Sequence, residues 1–168
     1  VPRESQHGVT LPTRGTVKFL IVFADKVGSC AEHGNTENWP AGEIPTNTAE
    51  WFDSEIPMNG DDITGTLTRM YWHASYGDLI LLGDFVDEVI EVPCSLSTSQ
   101  AATNVRQQIT DMINNQELSF VNGSDLDEFD QWGDLENGNR GREKSNLPNG
   151  RFDAVGIIWK NSNHGCGS

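Results

Sequence analysis

Five carboxylates, Asp125, Asp127, Glu128, Asp130 and Asp134, crowd the stretch from 125 to 134. Hard oxygen donors at that density are what calcium takes. Asp125-x-Asp127 opens like a calcium-binding loop, but Asp130 stands where such a loop needs its glycine. Glu136 falls at the far ligand position without the turn that would deliver it. Asn146, Asn149 and Asp153, around Pro148-Asn149-Gly150, make a second oxygen-rich turn. The candidate calcium ligands are therefore Asp125, Asp127, Asp130 and Asp153. The plainer reading is a solvated acidic loop.

The four histidines are His7, His33, His73 and His164. None belongs to a His-Glu-x-x-His pair, which sets two imidazoles one helical turn apart with the general base between them. Glu32-His33 has the wrong order, and His164 with Cys166 is a thin ligand pair. His73 sits one residue off an apolar stripe and reads as a boundary histidine. No nucleophile elbow, glycine-rich dinucleotide loop or Walker loop is present. Cys30 beside Glu32-His33 is a poor thiol-base pair, because the base normally arrives from elsewhere in the fold. No catalytic residue is assigned. Asn122-Gly123-Ser124 fits the N-glycosylation acceptor pattern.

Cys30, Cys94 and Cys166 are far apart and form no CxxC pair. They read either as buried thiols in a reducing compartment or as one bridge with one cysteine left over. Cys30 with Cys94 is the candidate disulfide, and Cys166 is unassigned. The chain of 168 residues carries 25 acids against 11 Lys and Arg, a net charge of −14. That field repels phosphate backbones and anionic lipid, so neither nucleic acid nor membrane insertion is expected. The apolar run from Phe19 to Ala24 falls far short of the roughly 20 residues a membrane span needs. Val1 opens the chain with no basic-plus-apolar leader ahead of it, as in a processed mature form.

These groups need a frame. Residues 1–15 read as an extended arm, and Val17–Phe23 as a central strand covered on both faces. A long Gly, Asn and Pro stretch to Asn59 follows, pinned by Trp39, Trp51 and Phe52, with a capped turn at Thr46 or Thr48. A helix is expected from Asp62 to Ser75, with Ile63, Leu67, Met70, Tyr71 and Ala74 as its inner stripe, Asp61 or Asp62 as cap and Gly77 as terminator. Leu79–Leu82 and Phe85–Val92 read as strand, bent at Gly83. Ser97, Thr98 or Ser99 caps a second helix reaching Asn115, with Ala101, Val105, Ile109, Met112 and Ile113 inward. A polar stretch to residue 150 and a strand from Phe152 to Trp159 complete the order. This alternation predicts one α/β (α+β) domain over residues 1–168, with two main helices packed on a mixed, twisted sheet.

Three segments together resemble secreted zinc metallopeptidases of the immune inhibitor A type. VKFLIVFADK, from Val17 to Lys26, resembles the family's first strand. The run from Leu67 to Pro93 resembles its helix-then-strand segment through Leu67, Met70, Tyr71, Trp72, Ser75, Tyr76, Gly77, Leu79 and Gly83. The tail matches through Phe129, Asp130, Gly150, Asp153 and Ile157-Ile158. The resemblance implies the upper subdomain of a zincin catalytic domain, incomplete at its C-terminus, from a secreted enzyme. It implies zinc in the complete enzyme, held by a helix after the last strand, and no zinc ligand is carried over onto this chain. It implies a polypeptide substrate aligned along a sheet edge, with the C-terminal remainder of the same protein as partner. The last strand, at Ile157, Ile158 and Trp159, is then expected to be only partly covered. The alternative is a non-catalytic secreted domain that binds calcium or a polymer through Trp39, Trp51 and the acidic loop.

Overall fold

The structure is a computed structural model and describes residues 14–29, 39–57, 63–134, 142–144 and 152–160. It is mixed α/β. In chain order the elements are β1 (Gly15–Val27), α1 (Thr66–Ala74), β2 (Leu79–Pro93), α2 (Thr98–Asn115), β3 (Trp132–Asp134), β4 (Arg142–Lys144) and β5 (Val155–Trp159). The main sheet has the order β2-β1-β5. Its strands are parallel. Gly15 N–H donates to Asp78 O and Cys94 N–H to Val27 O on one side of β1, while Leu20 N–H donates to Ala154 O and Lys160 N–H to Ala24 O on the other. Antiparallel pairing among the described residues is confined to the β3-β4 ribbon, Trp132 opposite Lys144, and to a bridge between Val86 and Phe120.

The chain divides into two compact units. One comprises residues 1–20, 49–84 and 122–155; the other comprises 21–48, 85–121 and 156–168. In the second unit β1 is buried without a break from Ile21 to Asp25. Unbroken burial is what a strand covered on both faces requires, in line with the β-branched and aromatic run that forms it. Phe23 stacks on Phe85 at 5.6 Å between ring centroids and meets Trp39 edge-on at 5.2 Å. Helix α2 begins at Ser97, whose side chain accepts from Gln100 N–H while Gln100 returns a bond to Ser97 N–H. It buries Ala101, Val105 and Ile109, the spacing its sequence calls for.

In the first unit α1 departs from expectation twice. Its N-cap is Gly65, with no side-chain cap, and it begins at Thr66; Asp61 and Asp62 lie outside the described residues. Its buried residue is Thr68, while Met70 and Tyr71 of the expected inner stripe are 51% and 40% exposed and Ala74 is exposed as well. The cause is hydrogen bonding. Thr68 Oγ1 donates to Leu81 O at 2.6 Å and accepts from Asp53 N–H at 3.0 Å, so the helix turns a hydroxyl inward to satisfy buried backbone groups. Strand β2 is continuous through Gly83, and residues 81–86 are all buried.

Both helices end on a residue with positive φ, and neither of those residues is glycine. Tyr76 at φ 56 and Gln116 at φ 60 each donate N–H three residues back, and the following residue donates five back. That is the Schellman pattern, whose left-handed position glycine occupies at least strain. Gly77 follows at φ 84, so two left-handed residues turn the chain into β2.

Candidate functional site

Open parallel sheets bind ligands beyond the carboxyl ends of their strands, at the point where connections leave in opposite directions. In the order β2-β1-β5 that point lies at the carboxyl end of β1, around Asp25. Asp25 is 4% exposed, and among the described residues its Oδ1 has no hydrogen-bond partner. Trp39 Nε1, on the ring that packs against Phe23, is also buried without an acceptor among the described residues. Strand alternation sets Phe23 and Asp25 on one face. Lys160, at the carboxyl end of β5, donates its Nζ to Pro40 O at 2.6 Å, which fixes the Trp39-Pro40 corner. One unsatisfied acceptor and one unsatisfied donor thus lie on elements tied to the same strand end. Unpaired buried polar groups cost roughly 1–3 kcal/mol each, which makes these two positions candidates. Sequence reading passed over Asp25. Its signal was a lone acid closing an apolar run.

The candidate calcium ligands fall in the first unit and are put to separate uses. Asp125 stands at the N-cap of a short 3-10 turn, Leu126–Phe129, where its N–H donates to Glu128 Oε1 at 2.7 Å and its carbonyl accepts from Glu128 N–H at 3.0 Å. Asp127 is exposed. Asp130 and Asp153 are each 7% exposed. Asp153 Oδ2 accepts from Gln131 N–H at 2.6 Å, and both its oxygens accept from Trp132 N–H at 3.1 Å. Among the described residues no three His, Cys, Asp or Glu side chains converge as a metal-binding group. Asn146, Asn149 and Gly150 lie outside the described residues, as do His7, His33, His164, Cys30 and Cys166.

Glu128 and Lys18 form a half-buried ion pair in the same unit, Nζ to Oε2 at 2.6 Å. The Lys18 side chain is 5% exposed and its ammonium also lies over the Phe129 ring at 5.6 Å. Burial works to raise the Glu128 carboxyl, but the bond from Lys18, the N–H of Asp125 and the Lys18 charge outweigh it, and the group lies below its ordinary value.

Two more carboxylates pin loops, and sequence reading named neither. Asp53 accepts from Thr64 N–H, Thr64 Oγ1 and Gly65 N–H at 2.9–3.0 Å. Asp84, fully buried, accepts from Asn122 N–H, Asn122 Nδ2, Ser124 N–H and Ser124 Oγ at 2.6–3.2 Å. Both side chains of the Asn122-Gly123-Ser124 motif are therefore bound to Asp84. The available signal in each case was a short acid beside one phenylalanine, Phe52-Asp53 and Asp84-Phe85.

His73 is exposed at the end of α1, with its ring 4.9 Å from Trp72. Cys94 is disulfide-bonded, and its partner lies outside the described residues. Trp51 O accepts from Leu67 N–H, so Trp51 fixes the start of α1. On β5, Val155 is 46% exposed and Gly156 to Trp159 are half-buried. No helix among the described residues is long and apolar enough to cross a membrane. Comparison with protein-family models, curated proteins and solved structures finds no match to this chain.

Proposed function

We propose that this chain is the N-terminal portion of the catalytic domain of a secreted zinc-dependent endopeptidase. It supplies the sheet scaffold and an edge that aligns the polypeptide substrate. The observation that carries the reading is the coincidence of the resembling segments with one parallel sheet. Val17–Lys26 forms β1, Leu67–Pro93 forms α1 and β2, and Ile157-Ile158 lies in β5 at the sheet's edge. The half-covered side chains of β5 support an edge that takes another polypeptide, by main-chain pairing along the strand. The disulfide at Cys94 supports an oxidising compartment.

The described residues do not fit a zinc site, since no three ligands converge. Zinc would be held by residues of the C-terminal remainder, and no catalytic step is assigned to the side chains described here. Their part is positional. Calcium, if bound, would use Asp127 and Asp130 with ligands outside the described residues.

The test is the intact mass of the natural mature protein, with zinc and calcium counted on the same sample. A mass well above 18.5 kDa with about one zinc per chain is the expected result. A natural mass equal to that of this chain, with no zinc, would end the peptidase reading in favour of a self-sufficient binding domain.

A further inference from the structure

We propose that Asn122 is a site of spontaneous deamidation whose reaction is held in check by the buried Asp84 carboxylate. Asn122 is exposed and is followed by Gly123, at φ 74, where an added Cβ would meet nothing within 4 Å. The Cβ side of Gly123 is open. The chemistry needs only water. The Gly123 amide nitrogen attacks Asn122 Cγ, a new N–C bond forms, and the Cγ–Nδ2 bond breaks. Ammonia leaves, carrying the proton lost from the Gly123 amide. Water then opens the cyclic imide at either carbonyl, giving Asp or isoaspartate.

What opposes this is the clamp. Asn122 donates to Asp84 Oδ1 through its backbone N–H at 3.1 Å and through Nδ2 at 2.9 Å. Ser124 donates to Oδ2 through N–H at 3.2 Å and Oγ at 2.6 Å. Both residues flanking Gly123 are thus held on one carboxylate, and the leaving nitrogen is bound to it. Cγ reaches the Gly123 nitrogen only when the turn opens, so the reaction draws on the open population alone. Once it has happened the turn does not close again. The product exchanges a donor for a second carboxylate beside one that is fully buried, which repels and leaves Asp84 short of a partner.

The experiment follows Asn122 by peptide mapping, which separates it from the Asn-Gly pairs at 59–60, 137–138 and 149–150. The full chain is kept in mildly alkaline buffer, folded in one arm and unfolded in guanidinium chloride in the other. Folded chain should lose Asn122 at least about tenfold more slowly than unfolded chain, as expected when local opening limits the reaction. Ser124→Ala, checked for native circular dichroism, should raise the folded rate by about threefold or more by weakening one arm of the clamp. Asn122→Asp, which mimics one product, should lower Tm by about 3–8 °C. Equal rates in the folded and unfolded chain would overturn the proposal. So would a folded Ser124→Ala as slow as wild type, or an Asn122→Asp variant with unchanged Tm. Should Ser124→Ala fail to fold, the other two measurements decide.

Discussion

Asp84 and Phe85 are adjacent in β2, fall in different compact units and are both fully buried. They are held by opposite means. Phe85 stacks on Phe23, within a unit built on an apolar strand, a capping-boxed helix and a disulfide. Asp84 gathers the N–H and side-chain groups of a loop, in a unit where Asp53, Asp153 and the Lys18–Glu128 pair bind others in the same way. The second unit draws on non-directional burial. The first fastens irregular backbone with directional, charge-assisted bonds. A carboxylate clamp holds one geometry closely and is exposed to chemistry that a phenyl ring ignores.

The contrast can be broken by substitution. Phe85→Ala should cost about 3–5 kcal/mol in denaturant unfolding, with no dependence on pH between neutral and mild acid. Asp84→Ala should cost about 2–4 kcal/mol, and proteolysis near residues 122–124 should rise before global unfolding. Equal proteolytic patterns for the two variants would remove the distinction between the units. Gly65→Ala should cost about 1–3 kcal/mol, because its Cβ would sit 2.6 Å from the Phe52 carbonyl carbon and Asp53 could no longer close over the start of α1.

The ion pair sharpens the comparison along the pH axis. Glu128 has a folded-state pKa below its unfolded value. Its contribution is therefore fully present above the unfolded value and is lost as pH falls through the folded one. Glu128→Gln should flatten the stability profile below the usual glutamate pKa of about 4.3. The effect should stay within about 1 kcal/mol, since the carboxylate is 38% exposed and screened. An unchanged acid limb would mean that Lys18 is held by its neighbours without Glu128. The smallest effect belongs to Tyr76→Gly, which should stabilise by about 0.5–1 kcal/mol by relieving a left-handed residue that is 98% exposed. A loss of stability there would mean that the ring packs in solution.

Legibility in the sequence followed the same division. Strand β1 could be read from VKFLIVF and α2 from its cap and the Ala101, Val105, Ile109 spacing, because apolar burial leaves a period. The α/β order followed from them. Helix α1 was recognisable as a helix, but only part of its expected stripe faces inward: Ile63 is buried and Leu67 half-buried, while Thr68 is buried for hydrogen bonding, a demand hydropathy does not register. The ribbon of β3 and β4 was missed, since strands of three residues carry no period. Among the site residues, Asp125, Asp130 and Asp153 could be flagged as oxygen-rich. A carboxylate that accepts backbone N–H looks identical in sequence to one that binds a cation. Asp25 carries no pattern at all, and only the strand order β2-β1-β5 gives its position meaning.

That strand order also sets a timetable. β1 is made first and pairs on one side with β2, but the partner for its other edge is β5. From Leu20 to Ala154 the separation is 154 − 20 = 134 residues. At about 5–20 residues per second, synthesis takes roughly 7–27 s to supply that partner. Through this interval the most apolar strand of the chain, FLIVFA, carries one open row of amide and carbonyl groups. An open apolar edge is a template for pairing with another chain. That edge of β1 therefore stays unpaired by β5 for longer than its other edge waits for β2.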